Sequence, residues 1–121
     1  MIVEGAGGLM SPIGDNEYIA DLAKAFGFPL IVVAPNRIGT INQTLQTLIA
    51  AETYGGGLKV AGIVLNDIYP PKHVADPSVL SNRLELELRC VPPVVAQLAH
   101  GAERFDQEVD WMSLAGGRKT N

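Results

Sequence analysis

Three short segments of this 121-residue chain carry side chains of the type and spacing needed to handle a charged ligand. Met1-Ile2-Val3 is apolar and runs into Glu4, with Gly5-Ala6-Gly7-Gly8 directly after it. A carboxylate at the end of a buried strand can serve a hard cation such as Mg²⁺, which takes one or two carboxylates together with phosphate oxygens and waters. Glycines beside it let backbone approach a phosphate and present N–H donors. The same residues also read as a plain strand end with a solvated Glu on a glycine turn. Asn66-Asp67 closes another apolar run. A side-chain amide offers donors and an acceptor that can match a purine edge, while the plainer reading is an Asx turn capping the strand. Gly39-Thr40-Ile41-Asn42 opens a helical pattern. Free N–H groups and the helix dipole attract an anion there, although Thr40 as an ordinary N-cap accounts for the same residues.

The other reactive side chains point to no chemistry. His73 and His100 have no Cys or acid at ligand spacing, so zinc is not expected. Lys72-His73 can reach a nucleotide near Pro70-Pro71, and a solvated loop is the simpler account. Cys90 lies in a strand-like apolar run and reads as packing. Glu85 and Glu87 belong to a solvated helix face, and Trp111 packs the tail. No Ser-His-Asp arrangement is evident.

The elements that must position these segments alternate strand and helix. Met1 to Val3 reads as a strand. Asp15 or Asn16 can cap a helix through Tyr18, Ile19, Leu22, Ala23 and Phe26, stopped by Gly27. Leu30 to Ala34 is β-branched and apolar throughout, as in a strand buried on both faces. A second helix places Ile41, Leu45, Leu48 and Ile49 on one face and ends at Gly55-Gly56-Gly57. Val60 to Leu65 is a third strand, and a third helix from Asp76 or Ser78 carries Leu80, Leu84 and Leu88. This β-α-β-α-β-α order predicts an α/β domain with a parallel sheet. Ligands in such sheets bind at the carboxyl ends of the strands, where all three segments would lie.

Composition sets outer limits. At 47% hydrophobic and 18% charged, the chain is expected to fold, as one α/β domain over residues 1–121 with a polar tail from about residue 103. A net charge of −4 gives no reason to expect nucleic acid or an anionic membrane as partner. One cysteine excludes an internal disulfide and fits a reducing, cytoplasmic setting. No apolar run approaches a membrane span, and no signal peptide is expected. No Gly-x-x-x-x-Gly-Lys-Ser/Thr occurs, and the Gly5 to Gly8 run lacks the third glycine of a dinucleotide fingerprint.

Taken in order, Val3 to Leu9, Ala20 to Lys24, Gly39 to Leu45, and Gly62 to Asp67 followed by Pro70-Pro71 resemble dethiobiotin synthetase, from Val3 to about Val95. The Glu4 to Gly8 segment alone is also similar to cobyrinic acid amide synthetases of the same P-loop superfamily. The resemblance implies part of a P-loop NTPase-like, Rossmann-like three-layer fold, its C-terminal half. It implies ATP-dependent closure of a ureido ring from 7,8-diaminopelargonic acid and CO2 in biotin biosynthesis, with Mg²⁺, in a cytoplasmic homodimer. Residue by residue, it makes Glu4 the Mg²⁺ ligand and Gly5, Ala6 and Gly7 the backbone beside ATP and substrate. Asn66 and Asp67 become the adenine-reading pair, and Pro92, Pro93 and Val94 the Pro-x-Leu segment beside the nucleoside. Gly39, Thr40, Ile41 and Asn42 become the helix start that receives the substrate carboxylate from the neighbouring subunit.

This sequence departs from the family pattern in two ways. The family's phosphate loop, catalytic lysine and second metal-binding acid have no counterpart, and Val95 to Ala99 lacks the acid expected after the Pro-x-Leu segment. The isolated chain is therefore expected to be inactive, whether it is half of a longer enzyme or begins at a late start codon. The alternatives are a non-catalytic nucleotide-binding or regulatory domain, and half of a different P-loop ligase.

Overall fold

The computed structural model describes residues 1–71 and 75–116. Its framework is a three-stranded, all-parallel sheet in the order β1-β2-β3, formed by β1 (Leu30–Asn36), β2 (Val60–Asp67) and β3 (Val94–Leu98). Around it stand α1 (Ile19–Phe26), α2 (Thr40–Thr53), α3 (Asn82–Arg89) and a terminal turn of helix, α4 (Trp111–Leu114). The chain is thus α/β, with a parallel sheet and flanking helices.

Val60 to Leu65 forms the central strand because it is apolar on both faces, and Ile63, Val64 and Leu65 are buried. Each neighbour pairs with it in parallel, Ala34 beside Leu65 and Leu65 beside Gln97. Ala34, Ile63, Leu65, Leu86 and Val94 form the core, with Val32, Ile41, Leu48 and Cys90 packed against it. The burial that places Cys90 here raises its thiol pKa, consistent with packing and not with nucleophilic work.

Three expectations are corrected. Met1 to Glu4 forms no strand, and Ile2 is 96% exposed. A strand needs a ladder partner, and neither β1 nor any other described strand pairs with this segment. The third strand is instead Val94–Leu98, downstream of the two prolines. The Cys90 run that resembled a strand is the C-cap of α3. The third correction concerns α3, where Leu84 and Leu88, like Leu80 in the turn before it, are exposed (57%, 69% and 89%) and the inward residues are Asn82 and Leu86. Asp76 caps a short 3-10 turn (Pro77–Leu80), and its carboxylate accepts from Ser78 N at 3.0 Å.

The helices start and stop by local rules. α1 begins at Ile19, later than Asp15 or Asn16 would cap it. Asp21 reaches back to accept from Tyr18 N (2.8 Å), and it also accepts from the Tyr54 hydroxyl (2.8 Å). That second bond ties α1 to the turn that follows α2. Gly27 ends α1, and the Gly55 to Gly57 turn ends α2, both as expected.

Three carboxyls are held below the ordinary aspartate range. For Asp21 the main cause is the Tyr18 amide, for Asp76 the Ser78 side chain, and for Asp106 the Gln97 amide. A depressed folded-state pKa contributes stability that is present above the unfolded value and lost as pH falls through the folded one. The melting temperature is therefore expected to hold steady down to about pH 5 and to fall below about pH 4. Asp21→Asn should shrink that acid limb. Circular dichroism melts across the range check this, and an acid limb unchanged in Asp21→Asn would remove Asp21 from the account.

Candidate functional site

Because the sheet is parallel, its three carboxyl ends lie on one edge: Asn36, Asp67 and Leu98. Asn66 and Asp67 are the last residues of β2 and not a turn after it. Successive strand residues face opposite sides, so their two side chains diverge. Asn66 stands in register between Pro35 and Leu98, and among the described residues its amide makes no side-chain hydrogen bond.

Asp67 is engaged on the α3 side. Its Oδ1 accepts from Asn36 Nδ2 (2.7 Å) and from Gln97 Nε2 (2.9 Å). Asn36 also donates to the Val79 carbonyl (3.2 Å) and accepts from Asn82 Nδ2 (2.9 Å), so it is fully committed. Arg83 bonds Gln97 Oε1 at 3.4 Å and forms ion pairs with Glu87 and Asp106. Those acids, Glu87 first, keep the Arg83 guanidinium more firmly protonated than usual. Asp106 accepts from Gln97 N (2.7 Å), and its own N–H donates to the Gln97 carbonyl (3.0 Å), which closes the loop after β3 at its base.

The start of α2 follows directly on the carboxyl end of β1. Gly39 is its N-cap at φ 90°, a left-handed conformation that glycine adopts without strain. Thr40 N donates to the Arg37 carbonyl and Ile38 N to Asp76 Oδ2. Among the described residues the Ile41 and Asn42 amides have no partner, as helix N-termini leave them. Thr40 is fully buried, and among the described residues its hydroxyl oxygen has no hydrogen-bond partner.

Among the described residues, Glu4 to Gly8 makes no hydrogen bond to these groups. Gly5 sits against the first residue of α1, where a Cβ would come within 2.7 Å of Ile19 Cγ2. The loop from Leu9 to Tyr18 is pinned to the same helix start by Ile19 N to the Ser11 carbonyl (3.0 Å) and Ala20 N to the Leu9 carbonyl (2.9 Å). Glu4 is exposed and makes no hydrogen bond to another candidate residue among those described.

The structure does not bring Pro92, Pro93 and Val94 to this edge. They enter β3 at its amino end, where the Pro93 carbonyl accepts from Ile63 N (2.8 Å). Val94 and Leu98 are roughly 13 Å apart at about 3.3 Å per residue. The segment that leaves the carboxyl end of β3 is Ala99-His100-Gly101. Lys72 and His73 lie outside the described residues. An open cleft of about 710 Å³ along Glu103 to Trp111 is lined by Asp106 and by none of the site residues expected from the sequence.

Sequence reasoning missed Asn36, Asn82, Arg83, Gln97 and Asp106. Only Asn36 had a signal, since it continues the inward alternation of Val32 and Ala34. Asn82 among exposed leucines had none.

A family model described as an AAA domain matches residues 1–101. An "ATP-dependent dethiobiotin synthetase BioD" of Anoxybacillus flavithermus is 37% identical over 112 residues, covering 92% of this chain and 48% of that protein. The protein of that name from Anaeromyxobacter dehalogenans is 49% identical over 86 residues, 71% of this chain and 36% of its own length. The Bacillus subtilis protein is 46% identical over 67 residues, 55% of this chain and 28% of its own. The chain spans about half the length, or less, of the curated relatives it matches.

Proposed function

This chain belongs to the AAA domain family and, within it, to the dethiobiotin synthetases, and on that premise we propose that it is the base- and substrate-binding half of an ATP-dependent ring-closing ligase. In the proposed reaction one amine of 7,8-diaminopelargonate adds to CO2 and loses a proton to give a carbamate. The carbamate oxygen takes the γ-phosphoryl group of ATP, and ADP departs. The second amine attacks the carbamate carbon, phosphate leaves, and the ureido ring closes. Such chemistry asks a protein mainly for positioning and charge stabilisation.

The observation that carries this reading is the start of α2. Two amides and a buried hydroxyl, none with a partner among the described residues, suit a carboxylate, and an unsatisfied buried polar group costs about 1–3 kcal/mol. We assign the substrate carboxylate to Gly39 through Asn42, offered across a cytoplasmic homodimer. Asn66 is assigned to the adenine edge, between the apolar walls of Pro35 and Leu98. The nucleoside side of β3 is then Leu98 to His100, in place of Pro92, Pro93 and Val94.

Gly5, Ala6 and Gly7 are assigned to backbone contact with the phosphates. No group of three His, Cys, Asp or Glu side chains gathers among the described residues. A lone carboxylate, Glu4, fits a Mg²⁺ ion whose other positions are filled by phosphate oxygens and water. When bound, that ion neutralises charge on the transferring phosphoryl group.

A second reading, a nucleotide-binding module without catalysis, is favoured by the lack of a Gly-x-x-x-x-Gly-Lys-Ser/Thr segment in this chain. One experiment separates the two. The chain is assayed for ring closure with diamine, CO2 and MgATP, alone and joined to the phosphate-loop half of a full-length relative. Activity is expected only in the joined protein, and there Glu4→Gln should lower turnover about tenfold at unchanged melting temperature. A joined protein that folds but never closes the ring leaves the binding-module reading standing. An unchanged rate in Glu4→Gln removes the metal assignment.

A further inference from the structure

We propose that Asp67 and Gln97 are positioning residues that hold Asn66 for base recognition and do not read the base themselves; this rests on the nucleoside assignment above. The pair Asn66-Asp67 reads in sequence as one recognition unit, but the pleat divides it. The Asn66 side chain projects from the face it shares with Pro35 and Leu98, and Asp67 from the face covered by α3. A planar base lying against one face cannot meet both.

The bonds of Asp67 show its role. A single oxygen, Oδ1, receives an amide N–H from the end of β1 (Asn36) and another from β3 (Gln97). One carboxylate therefore bridges all three strands at the carboxyl edge. Both donors are held from behind, Asn36 by Asn82 of α3 and Gln97 by Arg83 of α3 and by Asp106. The last residues of β2 are thus fixed against both neighbours one residue beyond Asn66. An amide that must match a base edge needs that fixity, because base discrimination collapses when the reading group can turn away.

The role separates experimentally from direct contact, because the two bonds use one oxygen only. Asp67→Asn keeps an acceptor at Oδ1, whereas Asp67→Ala removes it. The probes are adenosine and guanosine, titrated into the full chain by NMR, so that phosphate binding plays no part. The parent chain is expected to prefer adenosine, and Asn66→Ala to abolish the preference. Asp67→Asn should keep it within about twofold, while Asp67→Ala and Gln97→Met should each reduce it about fivefold. The double variant Asp67→Ala/Gln97→Met should fall no further than either single change. Gln97→Met, similar in length and without the amide, supplies the readout if Asp67→Ala does not fold. Equal losses in Asp67→Asn and Asp67→Ala would make the carboxylate a direct ligand and overturn the proposal. So would an unchanged preference in Asp67→Ala or Gln97→Met, with Asn66→Ala still effective. No adenosine preference in the parent, or none lost in Asn66→Ala, would overturn the nucleoside assignment and this proposal with it.

Discussion

Leu65→Ala is expected to lower folding stability by about 3 kcal/mol, measured as a fall in the urea midpoint with little change in slope. Leu65 is fully buried in the central strand, in register with Ala34 and Gln97, and clustered with Ile63, Leu86 and Val94. Removing its isobutyl group loses the transfer energy of about three carbons, near 0.8 kcal/mol each, and leaves a cavity. The cavity cannot collapse easily, because the strands on both sides are fixed by ladder hydrogen bonds. Val33→Ala is the matched control. Val33 lies on the opposite face of β1 and is 63% exposed, so its truncation should stay within about 0.5 kcal/mol. Similar effects at the two positions would mean that the side of the sheet facing α2 and α3 is not the core.

Asn82→Ala should be nearly as damaging, about 2–3 kcal/mol, for a different reason. Asn82 is buried, and its amide nitrogen lies within bonding distance of Asn36 Oδ1 (2.9 Å), the Arg37 carbonyl (3.1 Å) and Ser78 Oγ (3.3 Å). An NH2 group has two hydrogens, so the three acceptors share them. Truncation strands the buried Asn36 Oδ1, an orphaned group that costs about 1–3 kcal/mol, and leaves the Arg37 carbonyl with Thr40 N as its donor. The effect should be non-additive. Once Asn36 is alanine, Asn82→Ala should lose much less, because its main acceptor is gone. A double-mutant cycle by chemical denaturation measures that coupling, and full additivity would show that the Asn36–Asn82 bond carries no energy.

The strands with the strongest apolar character were legible in the sequence, as were the helix stops. Leu30 to Ala34 and Val60 to Leu65 read as strands because nothing polar interrupts them, and both became longer strands in the sheet, but only β2 is central; β1 lies at the edge of the described sheet with Val33 exposed, not buried on both faces. Val94 to Leu98 was not legible, because two prolines precede it and Gln97 interrupts it. The leucines of α3 misled in the opposite direction. They recur at helical spacing, yet packing chose the face with Asn82 and Leu86, since Asn82 completes the polar chain begun at Asn36. Periodicity identifies an apolar stripe without saying what covers it.

The same limit applied at the site. Gly39 to Asn42 was legible as a helix start, but the Thr40 hydroxyl, unpartnered among the described residues, depends on the packing around it. Asn66 and Asp67 were legible as a polar strand end. Their separation onto two faces followed only once the strand proved to run through both residues. The Asp67–Gln97 bond joins residues thirty positions apart, which no local pattern reports.

Every ladder in this sheet joins partners about thirty residues apart, Leu30 with Val60 and Ile63 with Val94. On a ribosome that makes about 5–20 residues per second, β1 emerges and waits seconds before the strand that pairs with it exists. α2, in between, can form within microseconds. The order of assembly is therefore imposed by synthesis: helix first, then the β1–β2 pair, then β3. The Asp67 bridge, which draws on all three strands, can close only when β3 with Gln97 has left the exit tunnel.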